Sequence, residues 1–212
     1  MKPLSLIDRA IIEFEHSLRT CHVKPTGGPR PYPGNQQQEA ELNETESRRI
    51  AGLMRVNNAG EVAAQGLYRG QALTARKEAV KKDMLEAADE ENEHLNWCQT
   101  RLSEVGARRS LLDPFWYWGS FTIGATAGLI GDKWSLGFVE ETEKQVTKHL
   151  QEHLQQLPEQ DQRSKAVLEL MKQDEMRHAT NAHKAGAARL PTPIQKAMSA
   201  VSKVMTFSAY RI

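Results

Sequence analysis

The chain has 212 residues, enough for one good-sized core, and its 28 basic and 27 acidic side chains nearly cancel. A chain balanced in this way lacks the basic stripe of a nucleic-acid binder, so no nucleic-acid partner is expected. Two distant cysteines, Cys21 and Cys98, without a Cys-x-x-Cys pair, exclude a rubredoxin-type or cysteine-zinc module.

The opening MKPLSLIDRA carries no continuous apolar run, because Asp8 and Arg9 interrupt it. No secretory signal is therefore expected, and a cytoplasmic protein is the default. Leu4, Ile7, Ile11, Phe14 and Leu18 recur at helical spacing and predict a short helix ending near residue 22. Lys24 to Gly34 concentrates four prolines and three glycines, which predicts an extended linker. Residues 1–42 thus read as a short helix and linker, and residues 43–212 as the main domain. Beyond Gln38 the chain is rich in Ala, Glu, Leu, Gln, Lys and Arg, all good helix formers. Helices are predicted over roughly 45–74, 78–105, 135–156, 161–187 and 194–206. Strand signals are almost missing, so the fold is expected to be all-α. Between Asp113 and Asp132 lie eighteen uncharged residues, Pro114 to Gly131.

One unit occurs twice. Glu61 precedes the Glu-x-x-His pair Glu91/His94 by 30 residues, and Glu143 precedes the pair Glu175/His178 by 32. At 1.5 Å per residue, such an interval is two half-helices and a turn, which brings both members to the same height in an antiparallel hairpin. The second turn is marked by Leu157-Pro158-Glu159. The first, near Ala75–Lys77, has no Gly or Pro and is inferred from the symmetry. A Glu and a His three apart share one helix face. Two such helices, with one Glu from each of two others, make the ligand set of ferritin-like di-iron and di-manganese bundles. Four carboxylates neutralise two divalent ions, and carboxylate with imidazole suits iron or manganese.

Isolated Glu-x-x-His pairs carry little weight, since 20 Glu and 7 His in this length give roughly 0.7 by chance. Glu13-x-x-His16 is such a decoy: no companion helix fits into the twelve residues before it, and a solvated helix face is expected. Glu140 shares a similar face with Glu143, but Glu143 gives the better-matched interval. His149-x-x-Glu152-His153 fits an inverted zinc-protease pattern. That chemistry needs a third ligand, and both histidines lie at the end of a helix already supplying Glu143. His149 is read as second-layer or substrate-facing, and His153 as a surface residue.

The run Arg55-Val-Asn-Asn-Ala-Gly-Glu61 resembles the Arg-Val-Asn-His-x-Gly-Glu signature of the demethoxyubiquinone hydroxylases. Glu90-Glu-Asn-Glu-His-Leu95 and Asp174-Glu-Met-Arg-His178 resemble that family's two Glu-x-x-His helices. Glu143-x-x-Val146-x-x-His149 resembles its third-helix run and favours Glu143 over Glu140. The resemblance covers about residues 45–212, and Asn58 stands where the signature has His. It implies a ferritin-like four-helix bundle with a long apolar crossover and an extra C-terminal helix. It also implies two iron ions per chain and an O2-dependent monooxygenase. The substrate would be the 2-polyprenyl-3-methyl-6-methoxy-1,4-benzoquinol ring and the product 3-demethylubiquinol. Electrons would come from the quinol or from a reductant such as NADH, although no Gly-x-Gly-x-x-Gly fingerprint is present. The alternative is a ferroxidase or a peroxide-scavenging di-iron protein of the same bundle.

The uncharged stretch is of borderline length for a membrane span. Spanning would put the two Glu-x-x-His pairs on opposite sides, so the stretch must instead be the crossover between hairpins. Phe115, Trp116, Tyr117 and Trp118 suit an interfacial belt, and Gly124, Gly128 and Gly131 suit close helix contact. A peripheral site on the cytoplasmic side of the cell membrane is therefore expected. Burial or a homo-oligomer contact is the other account of the stretch. The last helix carries a comparable apolar stripe of Ile194, Ala197, Met198, Val201, Val204 and Met205.

Overall fold

The computed structural model describes residues 5–212. Leu4, at the start of the expected first helix, lies outside them. Among the described residues there are seven α-helices and no strand: α1 (Leu6–His22), α2 (Glu44–Thr74), α3 (Glu78–Glu104), α4 (Asp113–Ile130), α5 (Asp132–Gln156), α6 (Gln162–Lys184) and α7 (Thr192–Ala209). The expected helices recur with boundaries moved by up to about three residues. The crossover is itself a helix, α4. Pro114 sits in its first turn, where proline's missing N–H costs nothing.

Local chemistry sets the ends. Asn43 accepts from the backbone of Glu46, whose side chain reaches back, a capping box that starts α2. Asp161 caps α6 by accepting from Ser164 N–H. The unmarked α2–α3 turn is held from outside: Asp132, at the head of α5, accepts from the backbone N–H groups of Arg76 (2.9 Å) and Lys77 (3.1 Å). Gly131 joins α4 to α5 at φ +146°, a conformation that favours glycine.

α2–α3 and α5–α6 are the two hairpins of the bundle. α4 lies on the outside of α2, where small residues bring backbone to backbone. A Cβ on Gly66 or Gly70 would come within 2.2 Å of the Tyr117 or Phe121 carbonyl oxygen, and one on Gly124 within 2.2 Å of that of Leu67. Gly124 and Gly128 thus do mediate close contact, whereas Gly131 serves the turn. α1 docks beside them through Arg69 and Glu13, paired at 2.7 and 2.9 Å and largely buried. Glu13 is therefore not on a solvated face: it fastens α1 to α2.

Two apolar cores divide the bundle lengthwise. One joins Ile50, Met54, Trp97, Leu102, Leu150, Leu168 and Met171; the other joins Tyr68, Val80, Met84, Leu136, Val139 and Ala182. On all four helices the segment between them carries the predicted Glu and His residues. The polar layer thus lies between two hydrocarbon cores. No helix among the described residues is long and apolar enough to cross a membrane.

Candidate metal centre

All six residues of the repeated pattern meet in that layer. Glu61, Glu91, His94, Glu143, Glu175 and His178 are each at most 7% exposed. They form two overlapping groups, Glu61/Glu91/His94/Glu175 and Glu91/Glu143/Glu175/His178, with ligand atoms within 4.8 Å of one another. Glu91 and Glu175 belong to both. His94 Nδ1 lies 2.9 Å from Glu91 Oε2 and 3.1 Å from Glu175 Oε1; His178 Nδ1 lies 3.2 Å from Glu91 Oε1 and 3.3 Å from Glu175 Oε2. Each shared carboxylate therefore turns one oxygen to each histidine, the disposition of a bridge. Glu61 belongs only to the His94 group and Glu143 only to the His178 group. Glu140 is outside the layer, paired with Lys144 and His183.

These residues suit a pair of divalent cations. Glu91 Oε1, both Glu175 oxygens and His178 Nδ1 are buried yet lack a hydrogen bond of acceptable geometry, although oxygen and nitrogen stand 3.1–3.3 Å apart. Buried polar atoms of this kind normally find partners. Four carboxylates without cations would also repel. Burial, followed by the neighbouring carboxylates, pushes the Glu61 and Glu143 carboxyls well above their ordinary range. Burial likewise opposes ionisation of Glu91, but His94 and His178 outweigh it and hold this carboxyl low. Two dications would supply the four positive charges that the carboxylates lack.

A second ring orients the first. His94 Nε2 stands 3.1 Å from Asp174 Oδ2, and His178 Nε2 stands 2.6 Å from Glu90 Oε2. Each imidazole thus directs Nδ1 inward and is held at Nε2 by a carboxylate, as metal-binding histidines commonly are. The holding acids are crossed: α6 supplies the partner of the α3 histidine, and α3 that of the α6 histidine. Neither acid belongs to the repeated six-residue pattern. The available signal was the motif itself, since both runs read acid-Glu-x-x-His. Tyr68 was also missed. It lies seven residues after Glu61, on the same face, and its hydroxyl donates to Glu143 Oε1.

The remaining predicted residues fall elsewhere. His149 does not reach the layer; its Nε2 is 3.0 Å from Ser202 Oγ on α7. His153 is buried rather than superficial, with Nδ1 2.7 Å from Asn57 Oδ1 on α2. Asn58 points away from the cluster and donates to Asp113 at the head of α4 (3.2 Å), so its departure from the signature leaves the six residues untouched. The aromatic run is divided. Phe115 and Trp118 are exposed (66% and 37%), while Trp116 and Tyr117 are buried. A single four-residue belt is therefore corrected to two outward residues, because successive helical positions face different ways.

An all-helical bundle with a buried layer of four carboxylates and two histidines, able to hold metal ions, is the class that fold and site define. Within it, the chain belongs to the COQ7 family, whose model, described as "Ubiquinone biosynthesis protein COQ7", matches residues 48–209. Proteins named 3-demethoxyubiquinol 3-hydroxylase are similar over nearly their whole length. That of Nitrosococcus oceani is 56% identical over 209 residues, covering 99% of this chain and 98% of its own. Those of Nitrosomonas europaea (52%, covering 96% and 98%) and Laribacter hongkongensis (51%, covering 98% and 100%) are comparable. The similarity therefore takes in the N-terminal segment, beyond the range from residue 45 that the motifs alone suggested. The chain is an enzyme, an oxidoreductase of the hydroxylating, monooxygenase type.

Proposed function

We propose that the chain hydroxylates the 2-polyprenyl-3-methyl-6-methoxy-1,4-benzoquinol ring with O2, giving 3-demethylubiquinol, at two iron ions held by Glu61, Glu91, His94, Glu143, Glu175 and His178. The observation that carries this reading is the sharing of Glu91 and Glu175 between two four-residue groups. One atom of O2 enters a ring C–H bond as hydroxyl and the other leaves as water. The balance requires two electrons and two protons, from the quinol or from a reductant such as NADH. Bound iron would supply O2 activation.

The protein's own groups do the remaining work. Glu91 and Glu175 would serve both ions, and Glu61 and Glu143 one each. Asp174 and Glu90 accept from Nε2–H of His94 and His178, leaving Nδ1 free to ligate. Tyr68 holds Glu143 by its hydroxyl. The apolar cores on either side limit the access of bulk water to the layer.

A polyprenyl quinol resides in a bilayer, so the enzyme is read as a peripheral protein on the cytoplasmic side of the membrane. Support comes from exposed apolar rows: Phe115, Trp118, Ile123, Leu129 and Ile130 on α4, and Ile7, Ile11 and Phe14 on α1 beside it. The test is to reduce the iron-loaded protein anaerobically, admit O2 and a demethoxyquinol, and measure hydroxylated product. Wild type should form product, whereas Glu91→Ala and Glu175→Ala should form none while keeping helix content. Equal turnover by either variant would remove the assigned site.

A further inference from the structure

The motif is duplicated, but its surroundings are not. Aligned on their histidines, the runs are Glu90-Glu91-Asn92-Glu93-His94 and Asp174-Glu175-Met176-Arg177-His178. The position before each histidine has opposite charge. On α6 it supplies a cation: Arg177 Nη2 donates to Asp174 Oδ1 (2.8 Å) and across to Glu90 Oε2 (2.9 Å). On α3 it supplies a buried carboxylate, Glu93, whose ion-pair partner among the described residues is not on α3.

That cation arrives from the Pro/Gly-rich segment. Arg30 donates to Glu93 through Nε and to Asp174 Oδ2 through Nη1 at 2.7 Å, the same oxygen that faces His94 Nε2. Its guanidinium lies 4.9 Å from the centre of the Trp97 ring, and Trp97 packs against His94 at 5.3 Å. Close approach is possible because residue 28 is glycine; a Cβ there would collide with the Glu93 side chain. The His94 half is thereby capped.

The His178 half carries an equivalent cation, since Arg177 donates to the Glu90 oxygen that faces His178 Nε2, but its outer carboxylate is less well covered: the Glu90 side chain is 37% exposed, against 8% for Asp174. His178 itself lines a cavity of about 250 Å³ whose main walls are α3 and α6, with Leu136 and Val139 of α5 behind them; among its charged groups Asp83, Glu86 and Glu90 outnumber Arg177. Acidic walls raise the local concentration of cations.

We propose that the two metal positions exchange unequally: the ion beside Glu143 and His178 enters and leaves through the α3–α6 cavity, while Arg30 makes the ion beside Glu61 and His94 the retained one. The proposal rests on the metal pair of the preceding section. Arg30 is a positioning residue, acting on His94 through Asp174. Loss of an outer partner of a metal-binding histidine typically weakens binding 10–100-fold, and Arg30 stands one step further out, so an effect of roughly 10-fold is expected.

The test uses the full chain loaded with two equivalents of Co(II), then mixed with excess EDTA while the cobalt absorption is followed. Wild type should lose metal in two phases of equal amplitude. Arg30→Gln should accelerate the slow phase roughly 10-fold and leave the fast one alone, and Arg30→Lys should fall between. Ala87→Trp, which fills the cavity wall, should slow only the fast phase. Should Arg30→Gln lose helix content, the double variant with Glu93→Gln removes the stranded carboxylate and carries the same expectation. A single phase in wild type, equal acceleration of both phases by Arg30→Gln, or an unaltered fast phase in Ala87→Trp would overturn the proposal. Failure to take up two equivalents would instead overturn the metal pair itself.

Discussion

Tyr68 and Glu143 meet across the bundle: the phenol of α2 donates to a carboxylate of α5, and both side chains are buried in the layer. The contact fixes the orientation of the one glutamate that sequence spacing had to choose from two. Tyr68→Phe keeps the ring and removes the donor. A buried acceptor left unpaired costs about 1–3 kcal/mol, and loss of an outer partner lowers metal affinity roughly 10–100-fold. Competitive Co(II) titration should show this loss at one of the two equivalents. Unchanged affinity would mean that the phenol does not hold Glu143.

Two buried groups give opposite dependences of stability on pH. Burial lifts the Asp113 carboxyl to about 7, with Arg109 and Asn58 offsetting part of the effect. The folded chain then holds this proton more tightly than the unfolded one. Its contribution is fully present below about pH 4 and is lost as pH rises through about 7. Burial, with a smaller contribution from His149, lowers the His153 imidazole to about 4. Its contribution is fully present above pH 6.5 and is lost as pH falls toward 4. These effects are worth up to about 4 kcal/mol for Asp113 and about 3 kcal/mol for His153. In urea unfolding of the metal-free protein, Asp113→Asn should gain on wild type as pH rises from 4 to 8. His153→Gln should gain as pH falls from 6.5 to 4. A difference from wild type that is flat with pH would refute the burial of that group.

The contact of α2 with α4 leaves no room for a methyl group at Gly70 or Gly124. Alanine at either should destabilise the fold by about 1–3 kcal/mol through overpacking. Gly119 on the same helix faces open space, so Gly119→Ala should be neutral or stabilising by up to about 1 kcal/mol. Thermal or urea unfolding of the three variants checks the contrast. Similar effects at positions 119 and 124 would argue against close packing.

Only two residues of the aromatic run face outward, which sharpens the membrane test. Wild type should co-sediment with lipid vesicles. The double variant Phe115→Ser/Trp118→Ser should bind roughly 10-fold or more weakly, given about 1.5–3 kcal/mol for each fully buried large apolar side chain. Retention of full vesicle binding by this variant, with its helix content intact, would exclude the α4 face as the contact.

Much of this protein was determined by local sequence. Glu91 with His94, and Glu175 with His178, share a face because residues three apart on a helix always do; matched intervals then bring their companion glutamates level with them. Helix content and the six-residue layer follow from that periodicity. Other features depend on segments that meet only in the folded chain. His94 is held by Asp174 and His178 by Glu90, 80 and 88 residues distant, and periodicity carries no information about such contacts. The same holds for Glu13 on Arg69, for His153 buried on Asn57, and for the inward turn of Trp116 and Tyr117. Tertiary packing also broke the symmetry that the repeat displays: α6 carries its own cation, Arg177, whereas the buried Glu93 of α3 takes Arg30 from a segment read only as a linker, and the outer carboxylate beside His94 is covered more fully than the one beside His178.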